Sequence, residues 1–296
     1  MLTPTTVGPV TRCAVIGHPV GHSLSPAIHR AAYAHLGLVW EYTAVDVAPG
    51  VVGDFVRGLD ESWRGLSVTA PHKDDLVALG EPDDVVRLTG AANTWVRDSR
   101  AMGGAIVRNT DVPGYGVAFA AHGIQGLETA ILIGNGATAR SALVGLSRIG
   151  VRRVVVLARD PGRAHGLVAL GEVLGVGVEP AQLGGEPPER ADVLVSTVPA
   201  AGATPHAETL ARTADVVFDS VYEPWPTPLA AAALANPGGL GGSGLSESGS
   251  GVLVLNGLDL LAGQAVEQVR WHTGEDVTFE LLRGAAQDAI TARNQT

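Results

Sequence analysis

Short apolar runs alternate with segments of helical spacing along most of the chain. Residues 12–17 (RCAVIG) predict a short buried strand. Residues 25–37 have helical spacing, with Pro26 at a first-turn position that tolerates proline. Residues 40–47 predict a second strand, 50–59 a helix, and 66–69 a further short strand. This βαβα order implies a mainly parallel sheet with helices on its faces.

A second series begins with an apolar strand at 129–133 (TAILI), a glycine turn at 134–136 and a helix at 137–149. A strand at 151–158, a helix at 163–174, strands at 191–197 and 216–219, and a helix at 227–235 follow. That order is a doubly wound, dinucleotide-binding pattern. Residues 237–251 are rich in glycine and serine and predict a flexible loop that buries no core. A short strand at 252–255 and helices at 257–274 and 275–293 complete the series, with no repeat of solenoid period.

Composition narrows the classes. The 296 residues carry a formal net charge of −10, which repels phosphate backbones and argues against general nucleic-acid binding. No apolar run approaches the roughly 18 residues of a membrane span, and residues 1–11 lack a secretory pattern. A cytoplasmic globular protein is expected. The one cysteine, Cys13, excludes an intrachain disulfide and a cysteine-based metal site. Of the 20 basic residues only Lys73 is a lysine. Lysine can lose its proton near neutral pH when its pKa is lowered, and arginine cannot.

The candidate chemistry lies at strand ends. Gly134, Asn135, Gly136, Ala137 and Thr138 follow a strand and open a helix, the context in which a glycine turn and free helix N–H groups hold a pyrophosphate. The third glycine of that fingerprint is Ala139. The next strand ends in Ala158, Arg159, Asp160, with Arg163 close behind. Two arginines there suit the 2′-phosphate of NADP, whereas Asp160 would suit the ribose hydroxyls of NAD. Ser23 and Ser25 place hydroxyls before a helix, where they suit a small acid or polyol, although Ser25 is also an N-cap candidate. His18 and His22 have the metal spacing of a helix, but Gly17, Pro19 and Gly21 oppose a helix there. Lys73 follows a strand. Together with Asp111 it would form a proton-transferring pair, though Asp111 could instead cap a helix starting near Pro113. Asn93 and Thr94 read equally as turn formers, Tyr222 as a packing aromatic, Gln264 as a solvated helix residue, and Trp225 and Trp271 as core or interface.

The order of these motifs resembles the shikimate dehydrogenases. HSLSP at 22–26, SVTxPxK at 67–73, GAxNT at 90–94, NTD at 109–111, the Gly134 loop, DxxYxPxxTPL at 219–229 and GLxxLxxQ at 257–264 run in family order. The resemblance implies an α/β protein: an N-terminal substrate domain completed by C-terminal helices (1–112 and 258–296), with an inserted Rossmann-type domain (113–257). It implies reversible reduction of 3-dehydroshikimate to shikimate with NADPH, in the pathway to chorismate and aromatic amino acids. By position it assigns proton transfer to Lys73 and Asp111. It assigns substrate contacts to Ser23, Ser25, Thr69, Asn93, Tyr222 and Gln264. Cofactor contacts fall on residues 134–138, Ala158, Arg159, Asp160, Arg163, Val221 and Gly257. A small-molecule substrate, no nucleic acid, membrane or metal, and a monomer or homodimer are expected.

Three departures stand out. Ser67 replaces the family's common asparagine, Ala137 a glycine, and Ala158-Arg159-Asp160 the usual Asn-Arg-Thr. The last keeps open an NAD-dependent quinate/shikimate dehydrogenase as the alternative. A silent nucleotide-binding paralogue would be expected to lack Lys73 or Asp111, and both are present.

Overall fold

The structure is a computed structural model and describes residues 10–236 and 251–295. The glycine-rich segment expected as a loop, Gly251 apart, lies outside the described residues. The chain divides into two compact units, one of residues up to Thr110 together with Ala265 onward, the other Asp111–Gln264.

In the first unit β1 (Arg12–Gly17), β2 (Glu41–Asp46), β3 (Trp63–Val68), β4 (Glu81–Pro82), β5 (Thr94–Arg97) and β6 (Ala105–Arg108) form one sheet, ordered β2-β1-β3-β5-β6-β4. Ile16, Leu66, Val68, Trp95 and Val107 pack in its core with residues of helices α2 (Val52–Arg57) and α3 (Asp84–Thr89), while α1 (Ser25–His35) packs against β2. The sheet is not simply parallel: β5 runs antiparallel to both β3 and β6. The βα pattern gave no warning of this. Residues 98–104 connect β5 to β6, too short a stretch for a parallel crossover. Gly103 and Gly104 turn the chain at φ +76°, and the Asp98 carboxylate accepts from Arg100 N at 2.9 Å.

The second unit begins with α4 (Asp111–Ala121). Its sheet contains β7 (Thr129–Ile133), β8 (Arg153–Ala158), β9 (Gly177–Gln182), β10 (Ala191–Ser196), β11 (Ala214–Asp219) and β12 (Leu253–Leu255). All pairs are parallel, in the order β12-β11-β10-β7-β8-β9. This is the doubly wound dinucleotide order, and the direction of winding reverses between β7 and β10. Ile131, Ile133, Leu157, Leu194, Val217 and Leu229 form the core on one face. Helices α5 (Ala137–Arg148), α6 (His165–Leu174), α7 (Ala200–Ala203), α8 (Ala207–Leu210) and α9 (Pro228–Leu234) connect the strands. Strand β9 escaped the hydrophobic pattern because it lies at the sheet edge, half exposed, and contains Pro180.

Helix α10 (Gly257–Thr273) starts in the second unit and ends in the first. Near its start it touches α4 backbone to backbone. A Cβ on Gly263 would collide with Gly114 O, and one on Gly114 would lie 2.8 Å from Gln264 N. Its later turns enter the first unit, where Gln268 is 1% exposed. Ser67 Oγ donates to Gln268 Oε1 at 2.7 Å and accepts from Tyr42 OH at 2.5 Å. Gln268 Nε2 donates to Thr94 Oγ1 at 3.0 Å. Helix α11 (Phe279–Arg293) packs on α1, and the Arg293 guanidinium donates to the carbonyls of His22 and Ser23 at 2.8 and 3.1 Å.

Beside this network His29 stacks on Tyr42, ring centres 4.1 Å apart, and lies 5.8 Å from the ring of His272. Both imidazoles are buried, and among the described residues neither Nε2 has a hydrogen-bond partner. Burial lowers the His29 pKa to about 4, and burial followed by the charges of His29 and Arg64 lowers that of His272.

Gly263→Ala is expected to cost roughly 1–3 kcal/mol by overpacking, read as a lower urea midpoint with an unchanged slope. The histidine pair is neutral in the folded protein, while the unfolded chain takes protons below the ordinary value of 6.5. Stability from the pair is therefore full above pH 6.5 and is lost as pH falls toward 4. Its slope is at most about 2.7 kcal/mol per pH unit, or about 1.36 for each proton. Unfolding free energies measured from pH 7.5 to 4.5 should show about half that contribution in His272→Leu.

Candidate active site

The glycine turn after β7 is built for close approach. Gly134 has φ +113°, and a Cβ there would lie 2.5 Å from Thr197 Oγ1. Thr197 is held in turn by its bond to the Ile133 carbonyl at 2.8 Å. A Cβ on Gly136 would meet nothing within 4 Å, so that glycine leaves open space at the N-terminus of α5. The first N–H groups of α5 are the ones a helix leaves without internal partners.

This turn forms one wall of a cleft of about 680 Å³, a size typical of small-molecule sites. Gly134, Asn135, Gly136, Ala158, Arg159, Asp160 and Arg163, all singled out in the sequence, line it. Ala137 and Thr138, the first residues of α5, are not among its lining residues, and neither are Val221 and Gly257. Thr197 and Val198, packed beside Gly134, also line it and were missed. The available signal was their place after β10, at the reversal of strand order, where ligands of open α/β sheets bind.

Asp160 and the two arginines have different surroundings. The Asp160 carboxylate accepts from Gly162 N at 3.1 Å and so caps the short helical turn Pro161–Ala164. Arg159 and Arg163 are exposed, and among the described residues neither guanidinium has an ion-pair partner. Their backbone carbonyls are tied instead, Arg159 O by Gln182 Nε2 at 2.8 Å and Arg163 O by Asn135 Nδ2 at 3.3 Å. The loop is held by its backbone while its cations remain available to an anion.

Val221 and Gly257 meet each other. Gly257 N donates to Val221 O at 3.1 Å, and a Cβ on Gly257 would collide with Ser220 O. Gln264, two turns beyond the helix start, is 6% exposed and donates to Leu261 O at 2.8 Å. It is therefore not the solvated residue its helix position allowed. Tyr222 is half-buried on the loop after β11, and Trp225 on the same loop is 37% exposed rather than core. Asp111 is the first residue of α4 and is buried. A carboxylate there is favoured by the helix dipole.

In the first unit the remaining candidates gather at strand ends. Ser25 is not a cap but the first residue of α1, and its N–H bonds to Ser23 Oγ at 3.2 Å. Thr69 stands so close to Gly17 that a Cβ on the glycine would be 2.5 Å from Thr69 Cγ2. His18 Nδ1 and Asp46 Oδ1 are 2.6 Å apart, and this bond, more than that from Val20 N, lowers the Asp46 pKa. The turn carrying Lys73 is anchored by its neighbour: buried His72 donates from Nε2 to Val47 O at 2.7 Å. The Lys73 carbonyl accepts from Ala92 N at 2.8 Å, next to Asn93.

Asn93 Oδ1 accepts from Thr110 N at 2.8 Å and from the hydroxyls of Thr110 and Thr94, each at 3.0 Å. This fixes the amide with its Nδ2 as the donor. Asn93 and Thr94 are thus 3% and 0% exposed elements of a bonded network rather than a solvated turn. Trp271 is half-buried, with the Arg108 guanidinium 4.5 Å over its ring. Among the described residues there is no group of three His, Cys, Asp or Glu that could hold a metal ion, and no helix long and apolar enough to cross a membrane.

An open α/β sheet with a glycine turn and an anion-ready cleft at its reversal point defines a dinucleotide-binding protein. Comparison with known proteins narrows this. Residues 15–95 match the family model of the shikimate dehydrogenase substrate binding domain. A shikimate dehydrogenase (NADP(+)) of Rubrobacter xylanophilus is 34% identical, over 96% of this chain and 98% of its own. The crystal structure of Mycobacterium tuberculosis shikimate dehydrogenase superposes with a TM-score of 0.78 at 34% identity, over 93% of this chain and 99% of its own. That of the Thermus thermophilus enzyme with NADP(H) and shikimate gives 0.75 at 29% identity, over 95% and 100%. The chain belongs to the shikimate dehydrogenase family.

Proposed function

We propose that this chain catalyses the reversible, NADPH-dependent reduction of 3-dehydroshikimate to shikimate, a step toward chorismate and the aromatic amino acids. The second unit serves as the cofactor domain. The first, completed by the C-terminal helices, serves as the substrate domain. The observation that carries the reading is the cleft at the strand reversal. Among the described residues its two arginines have no ion-pair partner, while its one aspartate is engaged in capping. That charge pattern favours the 2′-phosphate of NADP over the bare ribose of NAD, and so supports the main reading over the NAD-dependent quinate/shikimate alternative.

The bound nicotinamide supplies hydride chemistry. The protein's tasks are to hold it, orient the ketone and move one proton. The Gly134–Gly136 turn and the start of α5 receive the pyrophosphate, and Arg159 and Arg163 take the 2′-phosphate. Ala137, Thr138, Ala158, Val221 and Gly257 complete the cofactor's surroundings. Ser23, Ser25, Thr69, Asn93, Tyr222 and Gln264 hold the substrate's carboxylate and hydroxyls. As hydride reaches the carbonyl carbon, the Lys73 ammonium gives its proton to the oxygen, and in the reverse direction the amine takes the hydroxyl proton. Asp111 pairs with Lys73 and holds it in place.

The test crosses shikimate or quinate with NADP⁺ or NAD⁺ and follows absorbance of the reduced nicotinamide. Fast reduction with shikimate and NADP⁺ is expected. Faster reduction with NAD⁺ or quinate would favour the alternative instead, and no reduction in any mixture would refute the proposal. Lys73→Ala is expected to lower kcat by about 10²–10⁴-fold with little change in NADP⁺ affinity. Lys73→Arg should not restore turnover, since arginine keeps the charge but does not release its proton. Removing both arginines (Arg159→Ala with Arg163→Ala) should raise the KM for NADP⁺ about 10- to 100-fold and leave that for NAD⁺ nearly unchanged.

A further inference from the structure

Asp219 ends β11 with a side chain 1% exposed, yet among the described residues it has no ion-pair partner. Burial pushes its carboxyl above the usual range, opposed by hydrogen bonds from Thr227, Val221 and Ser196. An uncompensated carboxylate in the interior is destabilising, so its presence calls for a reason beyond packing. Its two oxygens reach the two ends of one loop. Oδ1 accepts from Val221 N at 3.2 Å, and Oδ2 accepts from Thr227 Oγ1 at 2.6 Å.

Both ends are fixed again from the other side. Thr227 Oγ1 accepts from Ala230 N at 3.1 Å and so caps α9. Val221 O accepts from Gly257 N at 3.1 Å, where α10 begins, and Ser220 N bonds to Ser196 O at 2.9 Å. The loop is thus anchored at both ends, and the carboxylate bonds to both of them. An asparagine has one acceptor oxygen and meets one of the two donors only.

We infer that Asp219 is a positioning residue: its buried carboxylate clamps the ends of loop 220–227 and thereby sets where Val221 and Tyr222 stand. The consequence for turnover rests on the proposed function, in which Val221 lies along the cofactor and Tyr222 meets the substrate. The clamp itself does not.

Asp219→Asn, Thr227→Val and Thr227→Ser in the full chain test it, with two readouts. Hydrogen exchange of the 220–227 amides should speed up by about tenfold in Asp219→Asn and Thr227→Val, the size of one lost hydrogen bond, and stay near wild type in Thr227→Ser, which keeps the hydroxyl. Kinetically, the first two variants should raise the KM for shikimate by a similar factor. The preference for NADP⁺ over NAD⁺ should not move, because Arg159 and Arg163 stand on the loop after β8. Unchanged exchange of the loop in Asp219→Asn would overturn the clamp. So would a fall in active fraction and unfolding midpoint at constant KM, which is what a purely structural role gives. If the wild-type chain does not turn over shikimate, the proposed function fails, and the exchange measurement still decides the clamp.

Discussion

A polar side chain buried at the end of a strand must find its partners inside the protein, and the candidate site in each unit is organised around that requirement. In the first unit the hub is Asn93, whose one side-chain oxygen accepts three hydrogen bonds from Thr94 and Thr110. Gln268 extends the hub through Thr94 and Ser67 to Tyr42. Removing one member would leave several buried groups unpaired, so the members hold one another in a single arrangement. The strand end carrying Thr69 and the turn carrying Lys73 are bonded to the same region, through Val68 N to Asn93 O and Ala92 N to Lys73 O.

In the second unit the fold supplies the opening and the side chains supply its sign. Parallel strands that wind in opposite directions from β7 and β10 leave a crevice at their carboxyl ends. Gly134 permits the turn that borders it, and Thr197 fills the space a side chain there would need. The negative charge most able to spoil an anion site, that of Asp160, is engaged by Gly162 N. Beside it Arg159 and Arg163 line the cleft, exposed and with their backbones tethered. Sheet order alone would admit many ligands, and the placement of these charges is what narrows the choice.

Much of this was legible in the sequence where local pattern and local structure coincide. The strands Arg12–Gly17 and Thr129–Ile133, the glycine turn and the Arg159–Arg163 loop are set by residues adjacent in the chain, and each stands where the pattern put it. The β5–β6 hairpin was illegible because its strands are four residues each, too short for periodicity to register. Edge strand β9 was hidden by Pro180 and partial exposure. Gln268 and the His29–His272 pair make their contacts across more than 150 residues of chain, which no local window contains. Thr197 and Asp219 owe their parts to strand order. In the chain itself they read as a polar residue after one strand and an acid ending another.

In the proposed reaction hydride passes directly between the substrate's reacting carbon and the nicotinamide. Shikimate carrying deuterium on the carbon that bears the reacting hydroxyl, incubated with this protein and NADP⁺, tests this through the proton spectrum of the reduced cofactor. One deuterium per turnover at C4 of the nicotinamide, confined to one face, is the predicted result. Reduced cofactor without label, or no reduced cofactor at all, would contradict it.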